Sequence, residues 1–187
     1  MYNEEKVESL VRELLVTFGE DPNRDGLVET PKRVALAFRE ILKGYSGQIT
    51  LKTFDSPYTG IVARVGIPFH STCEHHLMIY SGVAHFGYIP ANNKVVGVSK
   101  IIRFIQHKAA KLTIQENLTE EIVEDFYVQV QPEGCMVILS ATHHCEACRG
   151  VKVAGIPLVT QSLRGTFLDD PSVKNEFLHI VERELKR

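Results

Sequence analysis

The sequence predicts an α+β fold, and three features of the chain lead to this prediction. Apolar residues recur with helical spacing at the front, short β-rich runs fill the middle, and helical and strand patterns alternate in the second half. At 187 residues the chain is long enough to bury a core of its own. We expect residues 1–50 to form an N-terminal helical region and residues 51–187 a main domain, joined as one compact unit.

Two amphipathic helices are predicted at the front of the chain. Residues 4–18 carry apolar side chains at i, i+3, i+4 and i+7, and the turn-forming sequence at 21–26 ends this helix. A second helix is predicted to begin with Thr30 as its N-cap and Pro31 as its first helical residue. Their apolar faces must cover something, either the sheet that follows or another subunit.

The middle of the chain changes to strand patterns. Residues 59–98 contain three short β-rich runs, and the sequence GYIPANN between them is typical of a turn. A helix is predicted over residues 99–112, with Ser99 as its cap. A further helix is predicted around residues 119–130, because Thr119 and two glutamates form a favourable first turn.

The last third of the chain returns to the sheet and then ends in a helix. Residues 135–144 are predicted to form a buried strand, and residues 151–163 to continue the sheet. The final helix is predicted from about residue 171.

The overall charge and composition exclude several classes of function. With 21 basic and 23 acidic residues, the net charge is −2, which does not indicate a nucleic-acid groove or a polybasic membrane anchor. No segment approaches the roughly 18 apolar residues of a membrane span, and the charged N-terminal residues do not resemble a signal peptide. We therefore expect a cytoplasmic protein without nucleic-acid or membrane partners.

Cysteine thiols stay reduced in the cytoplasm, so the four cysteines are interpreted as metal ligands or free thiols. Cys135 lies in an apolar run, and we expect it to behave as a small buried hydrophobic residue.

Two short clusters predict a zinc site. Cys73-Glu-His75-His76 and His143-His144-Cys145-Glu-Ala-Cys148 both combine the residue types that zinc prefers at spacings that fit one turn. One interpretation is a closed structural site with Cys73, His76, Cys145 and Cys148 as four ligands. The other is a catalytic site with three protein ligands and one position open for water.

The arrangement favours the catalytic interpretation without deciding the matter. His76 and Cys145 are separated by 68 residues, whereas the ligand pairs of small zinc modules lie roughly 12–20 residues apart. Histidines also remain beside the candidate ligands, and a catalytic centre needs such groups as general acids or bases.

Several sequence blocks, taken together, resemble the GTP cyclohydrolase I family. The run S-T-C-E-H-H-L at 71–77 is similar to the family's S-x-C-E-H-H signature. The other blocks follow in the family's order: E-T-P-x-R at 29–33, G-x-x-H-x-x-Y-I-P at 82–90, G-x-S-K-x-x-R at 97–103, Q-E-x-L-T at 115–119, A-T-H-x-C-x-x-x-R-G at 141–150 and S-L-x-G-x-F at 162–167. The resemblance extends from residue 29 to the C-terminal helix.

The resemblance implies a set of zinc ligands and catalytic groups. Cys73, His76 and Cys145 would hold Zn²⁺, which leaves Cys148, a departure from many family members, outside the ligand set. His143 would protonate N7 of the purine and so make C8 electrophilic. His75 would act as a second acid or base or orient water, and Ser99 would assist the later steps.

The resemblance also implies GTP as the substrate. Glu116 would accept the adjacent N–H donors of the guanine base, with Gln115 beside it. The triphosphate would contact cationic side chains, namely Lys100, Arg103, Arg149 and Arg33.

The implied reaction is hydrolysis at C8, release of formate, rearrangement of the ribose and closure to 7,8-dihydroneopterin triphosphate. This is the first step of pterin and folate-type biosynthesis. The implied fold is a tunnelling fold, with an antiparallel sheet, helices packed on one side and N-terminal helices before it. Members of the family form homodecamers of two facing pentamers with active sites at subunit boundaries, and residues 51–187 would be the catalytic domain.

An alternative is another tunnelling-fold enzyme that acts on a different purine or pterin. The Gln115-Glu116 pair and the block of Ser99, Lys100 and Arg103 argue against it, because a substrate without a triphosphate has less need of those cations.

Overall fold

The structure is a computed structural model that describes residues 2–187. The helices are α1 (Glu4–Thr17), α2 (Thr30–Ile41), α3 (Val98–Ala109), α4 (Gln115–Val130), α5 (His144–Ala147), α6 (Thr166–Asp169) and α7 (Pro171–Leu185). The strands are β1 (Thr53–Asp55), β2 (Val62–Thr72), β3 (Ile79–Ile89), β4 (Lys94–Val96), β5 (Gly134–His143) and β6 (Leu158–Gly165). Within residues 2–187, no helix is both long enough and apolar enough to span a membrane.

The main sheet is antiparallel, with the strand order β2-β3-β5-β6. Strands β1 and β4 form a separate two-stranded ribbon. Thr72 at the end of β2 lies opposite Ile79, and Tyr80 of β3 lies opposite His143 at the end of β5. The loop after β2 and the end of β5 therefore lie at the same end of the sheet.

Apolar residues pack on both faces of the main sheet. On one face, α3 and α4 cover the strands, and Phe126 of α4 contacts Phe86 and Tyr88 of β3 at ring-centroid distances of 4.6 and 5.2 Å. On the other face, Phe177 of α7 packs with Phe167 and Met136. The predicted α+β fold with an antiparallel sheet and N-terminal helices is confirmed. The helices were expected on one side of the sheet, but α7 covers the second face.

The two N-terminal helices pack against each other. Arg39 of α2 forms a 2.7 Å ion pair with Glu4 of α1, and the Tyr2 hydroxyl donates a 2.7 Å hydrogen bond to the Ala35 carbonyl. Helix α1 nevertheless contains no buried residue, and Leu14 and Phe18 remain exposed. The sheet of the same chain therefore does not cover this apolar face.

Several helix boundaries differ from those expected from the sequence. Helix α4 begins at Gln115, four residues before the predicted start, because Ile114 already has extended backbone angles at the N-cap position. Gly97 occupies the N-cap of α3, so Ser99 lies inside the first turn. Thr30 is likewise the first helical residue of α2 and not its cap. The sequence pattern predicted where these helices lie, but it did not predict the residue at which each helix begins.

Residues 151–157 lie outside the sheet, although the sequence predicted a continuous strand there. Gly155 has a left-handed backbone (φ +83°), and Pro157 has no N–H to donate to a neighbouring strand. Strand β6 therefore begins only at Leu158.

A bulge in β2 is stabilised by a buried histidine. The register of β2 against β3 shifts between Arg64 and Ile67, and Gly66 within the bulge has φ +73°. The Gly66 N–H donates a 3.1 Å hydrogen bond to Nδ1 of His85, which is 5% exposed. Burial lowers the pKa of His85, because the charged ring loses its hydration.

This contact predicts a loss of stability at low pH. Below the ordinary histidine pKa of about 6.5, the unfolded chain binds a proton that His85 in the folded chain resists. The free energy of unfolding should therefore fall with decreasing pH from that point, by up to about 1.4 kcal/mol per pH unit from this residue. Urea unfolding of His85→Asn, which keeps an acceptor for Gly66 but does not titrate, should show a shallower decline. Equal slopes for the two proteins between pH 7 and 5 would show that His85 does not contribute.

Candidate metal centre

Two segments that are distant in the sequence meet at one end of the main sheet. The loop between β2 and β3 contains Cys73 and His76, and α5, directly after β5, contains Cys145. Because Tyr80 in β3 pairs with His143 in β5, the loop and α5 lie side by side. The strand register thus explains how residues so far apart in the chain become neighbours.

A tight turn orients the first two candidate ligands. The Cys73 N–H donates to the Met78 carbonyl at 2.8 Å, and the Leu77 N–H donates to the Cys73 carbonyl at 2.9 Å. Leu77 has a left-handed backbone with φ +55°, which closes the turn. Cys73 is buried and His76 is exposed, so one candidate ligand lies on the protein side of the turn and the other on the solvent side.

The side chains of Cys73, His76 and Cys145 form a group that could hold a metal ion. Their candidate ligand atoms all lie within 4.8 Å of one another. The Cys73 Sγ is 3.8 Å from Nδ1 of His76 and 3.8 Å from Sγ of Cys145. Two sulfurs bound to one tetrahedral zinc at about 2.3 Å each lie about 3.8 Å apart, so the donor set and spacing fit zinc.

Without a bound cation, the surroundings of Cys145 favour its protonated thiol. Burial raises the pKa of the Cys145 thiol, and the adjacent Cys73 thiol raises it further. A metal ion reverses this preference, because it binds the thiolate and displaces the proton.

The other two cysteines lie outside this group. Cys148 is exposed, and its Sγ lies 4.0 Å from Sδ of Met78. Cys135 is buried in the core, where burial raises the pKa of its thiol to about 12. The group found by geometry therefore has three members, and the four-ligand alternative with Cys148 does not appear in it.

We predict that Cys148→Ala retains the metal. Its side chain is exposed and is not part of the ligand group, so its removal should leave the zinc stoichiometry unchanged and alter zinc affinity by less than about 3-fold. Zinc content after gel filtration and competition with a chromogenic chelator measure both quantities. A metal-free variant would show that Cys148 is a ligand.

His143 is fixed beside the metal group by two side chains. Its ring stacks on Tyr80 with a centroid distance of 4.4 Å and an interplanar angle of 4°. Its Nε2 lies 3.0 Å from Oε1 of Gln115. Burial lowers the pKa of His143, and the negative charges of Glu116 and Glu146 partly oppose this. Tyr80 was not among the residues predicted from the sequence, because only the strand register places it opposite His143.

The remaining predicted residues occupy three separate places. His75 is exposed in the loop after β2, with its ring centroid 6.2 Å from that of His76. Glu116 is exposed in the first turn of α4, next to the buried Gln115. Arg149 is exposed just after α5.

The other predicted substrate contacts lie on α2 and α3, which contain none of the metal-group residues. Ser99, Lys100 and Arg103 lie on α3, and Arg33 lies on α2. Within residues 2–187, neither a salt bridge nor a side-chain hydrogen bond joins these four side chains to the metal group.

Comparison with known protein families establishes the family to which the chain belongs. The family model of GTP cyclohydrolase I matches residues 7–182. The chain belongs to this family. The family membership indicated by the sequence blocks is thus confirmed.

Individual relatives agree with this membership. The chain is 41% identical to "GTP cyclohydrolase 1" of Mycobacteroides abscessus, over 98% of this chain and 92% of the relative. It is 39% identical to "GTP cyclohydrolase 1" of Bacillus subtilis, over 97% of both chains. Among solved structures, the apo form of an archaeosine synthase QueF-Like covers 59% of this chain and 97% of its own, with 14% identity and a TM-score of 0.43.

Proposed function

We propose that this chain is a zinc-dependent GTP cyclohydrolase I that hydrolyses GTP at C8, releases formate and forms 7,8-dihydroneopterin triphosphate. The observation that carries the proposal is the group of Cys73, His76 and Cys145, whose ligand atoms lie within 4.8 Å of one another. Three protein ligands leave the fourth position of a tetrahedral ion available for chemistry. Family membership supports the identity of the substrate.

Cys73, His76 and Cys145 would hold the zinc ion through two sulfurs and one imidazole nitrogen. When bound, zinc supplies a nucleophile at neutral pH, because it lowers the pKa of a coordinated water to about 7. Cys73 is buried and Cys145 is half-buried, so the two sulfur ligands are partly shielded from bulk water, while His76 is exposed.

His143 would donate a proton to N7 of the purine. Its ring is rigidly held by Tyr80 and Gln115, and it lies two residues before Cys145. Protonation at N7 withdraws electrons from C8 and makes that carbon more electrophilic. His75 is exposed beside His76, where it could orient water or exchange a second proton. Ser99 would assist the later rearrangement.

Glu116 would bind the guanine base through its adjacent N–H donors. The side chain is exposed, and its negative charge acts to raise the pKa of both Tyr80 and His143, which supports a position near the His143 ring. A single carboxylate can accept two parallel N–H bonds, as in bidentate pairs. The neighbouring Gln115 was expected to help, but its amide is buried and already engaged.

Arg149, Lys100, Arg103 and Arg33 would bind the triphosphate. None of the four forms a salt bridge within residues 2–187, so their charges remain available for an anion. Lys100 lies in the first turn of α3, where the helix dipole also favours negative charge.

Assembly into a homodecamer would complete the site at subunit boundaries. Two observations support this. Within residues 2–187, Lys100, Arg103 and Arg33 have no hydrogen bond to the metal group of their own chain, and the apolar face of α1 is exposed. Residues 1–50 would then form an assembly region and residues 51–187 the catalytic domain. We further propose a cytoplasmic location, consistent with four free cysteines.

The test is incubation of fully zinc-loaded protein with GTP. The proposal expects formate in equal amount to a product that becomes fluorescent neopterin after oxidation and dephosphorylation. Removal of zinc by a chelator should stop turnover while the circular dichroism of the fold persists. Unfolding on chelation, with neither product from the loaded protein, would instead support a structural zinc site.

A further inference from the structure

The amide of Gln115 has only one orientation that satisfies its surroundings. The residue is fully buried, and one end of its side chain lies 3.2 Å from the Leu139 carbonyl and 3.0 Å from the Leu158 carbonyl. Backbone carbonyls can only accept hydrogen bonds, so the atom facing both must be the amide nitrogen. The other end, which faces His143, is therefore the oxygen Oε1.

This orientation determines which nitrogen of His143 carries a fixed proton. Oε1 of Gln115 is an acceptor, and it lies 3.0 Å from Nε2 of His143. A hydrogen bond at this position requires an N–H on Nε2, in both the neutral and the charged ring. Within residues 2–187, Nδ1 of His143 has no hydrogen-bond partner.

The surroundings hold this arrangement rigidly. The Thr160 hydroxyl lies 3.1 Å from Nε2 of Gln115. The Thr119 hydroxyl donates a 2.6 Å hydrogen bond to the backbone carbonyl of Gln115 and is also 2.6 Å from the Thr160 hydroxyl. Tyr80 fixes the plane of the His143 ring by stacking. A buried network in which each polar group is satisfied favours one geometry over others.

We propose that Gln115 is a positioning residue that keeps the Nε2 proton of His143 in place, so that His143 exchanges protons with the substrate through Nδ1. This inference rests on the proposed function. In the proton-transfer step the Nδ1–H bond of the charged ring breaks and an N–H bond forms at N7 of the purine. The positive charge moves to the purine, and the ring is left neutral with its proton on Nε2.

The same contacts argue against Gln115 as a direct ligand of the base. Both ends of its amide are engaged within the protein, and the side chain has no exposed surface. A substrate contact would require at least one of these hydrogen bonds to break, at a cost of about 1–3 kcal/mol for a buried group left unpaired.

The first test is kinetic and uses Gln115→Met in the zinc-loaded protein. We expect kcat to fall about 10- to 100-fold with KM for GTP changed less than about 3-fold, because positioning of the acid is lost while base binding is retained. The matched control is Gln129→Met on the same helix, whose side-chain oxygen accepts a hydrogen bond from the Leu51 N–H and which should leave both constants unchanged. A raised KM with unchanged kcat would overturn the proposal in favour of substrate binding.

The second test needs neither turnover nor a variant of Gln115. Carbon–nitrogen correlation NMR of histidine-labelled, sedimented zinc-loaded protein distinguishes Nε2, bonded to Cδ2, from Nδ1, bonded to Cγ. The His143 signals are assigned as those absent from His143→Ala. We expect a protonated Nε2 that is hydrogen-bonded and protected from exchange with water, and an unprotonated Nδ1 in the neutral ring. A neutral ring with its proton on Nδ1 and none on Nε2 would overturn the proposal, even if GTP turnover itself were confirmed.

Discussion

Cys145→Ala is expected to lose the metal and to reduce GTP turnover about 1000-fold or more. The side chain belongs to the three-residue group proposed to hold the metal, and its Sγ lies 3.8 Å from that of Cys73. A bound metal ion contributes several kcal/mol of transition-state stabilisation, and each 1.36 kcal/mol corresponds to a factor of ten in rate. Zinc content after gel filtration and formate release from GTP measure the two effects.

The matched control for this variant is Cys148→Ala, which removes a thiol from the same short segment but from an exposed position. Thermal unfolding of both variants separates loss of the metal from loss of the fold. Cys145 is only half-buried and packs at the margin of the core cluster, so Cys145→Ala should remain folded. One zinc ion per chain in folded Cys145→Ala would refute the ligand set.

His143→Ala is expected to retain zinc and GTP binding but to lose ring opening by about 100- to 10,000-fold. General acid–base groups contribute rate factors of this size, and His143 is the histidine that Tyr80 and Gln115 hold rigidly beside the metal group. Its removal leaves Cys73, His76 and Cys145 intact. Zinc analysis, equilibrium binding of GTP and formate release measure the three properties separately.

The neighbouring histidine provides the control for this second substitution. His144 is exposed at the start of α5, and His144→Ala should keep turnover within about 3-fold of the unaltered chain. Turnover of His143→Ala within about tenfold of the unaltered chain would show that another group protonates the purine.

The sequence was sufficient to predict the helices and the central strands, because their apolar periodicity is strong. It could not predict that α4 begins at Gln115, since backbone angles at Ile114 decide this and no capping side chain marks the position. The strand expected over residues 151–157 was wrong, because the effects of Gly155 and Pro157 outweigh the apolar residues around them.

The candidate metal site was also predictable in part. Residue types and spacing indicated zinc but left three or four ligands open, and only the fold separates Cys145, near Cys73, from the exposed Cys148. Tyr80 and the orientation of the Gln115 amide depend on strand register and on contacts to the Leu139 and Leu158 carbonyls. Such contacts leave no mark in residue spacing.

Zinc K-edge X-ray absorption of the loaded protein tests most directly whether the metal has three protein ligands and one open position. We expect two sulfur neighbours at about 2.3 Å and two lighter neighbours at about 2.0 Å, one of which is replaced or displaced when a GTP analogue binds. The same spectrum should be obtained from Cys148→Ala. A third sulfur neighbour that disappears in Cys148→Ala would contradict the three-ligand site and would make the site a closed structural one.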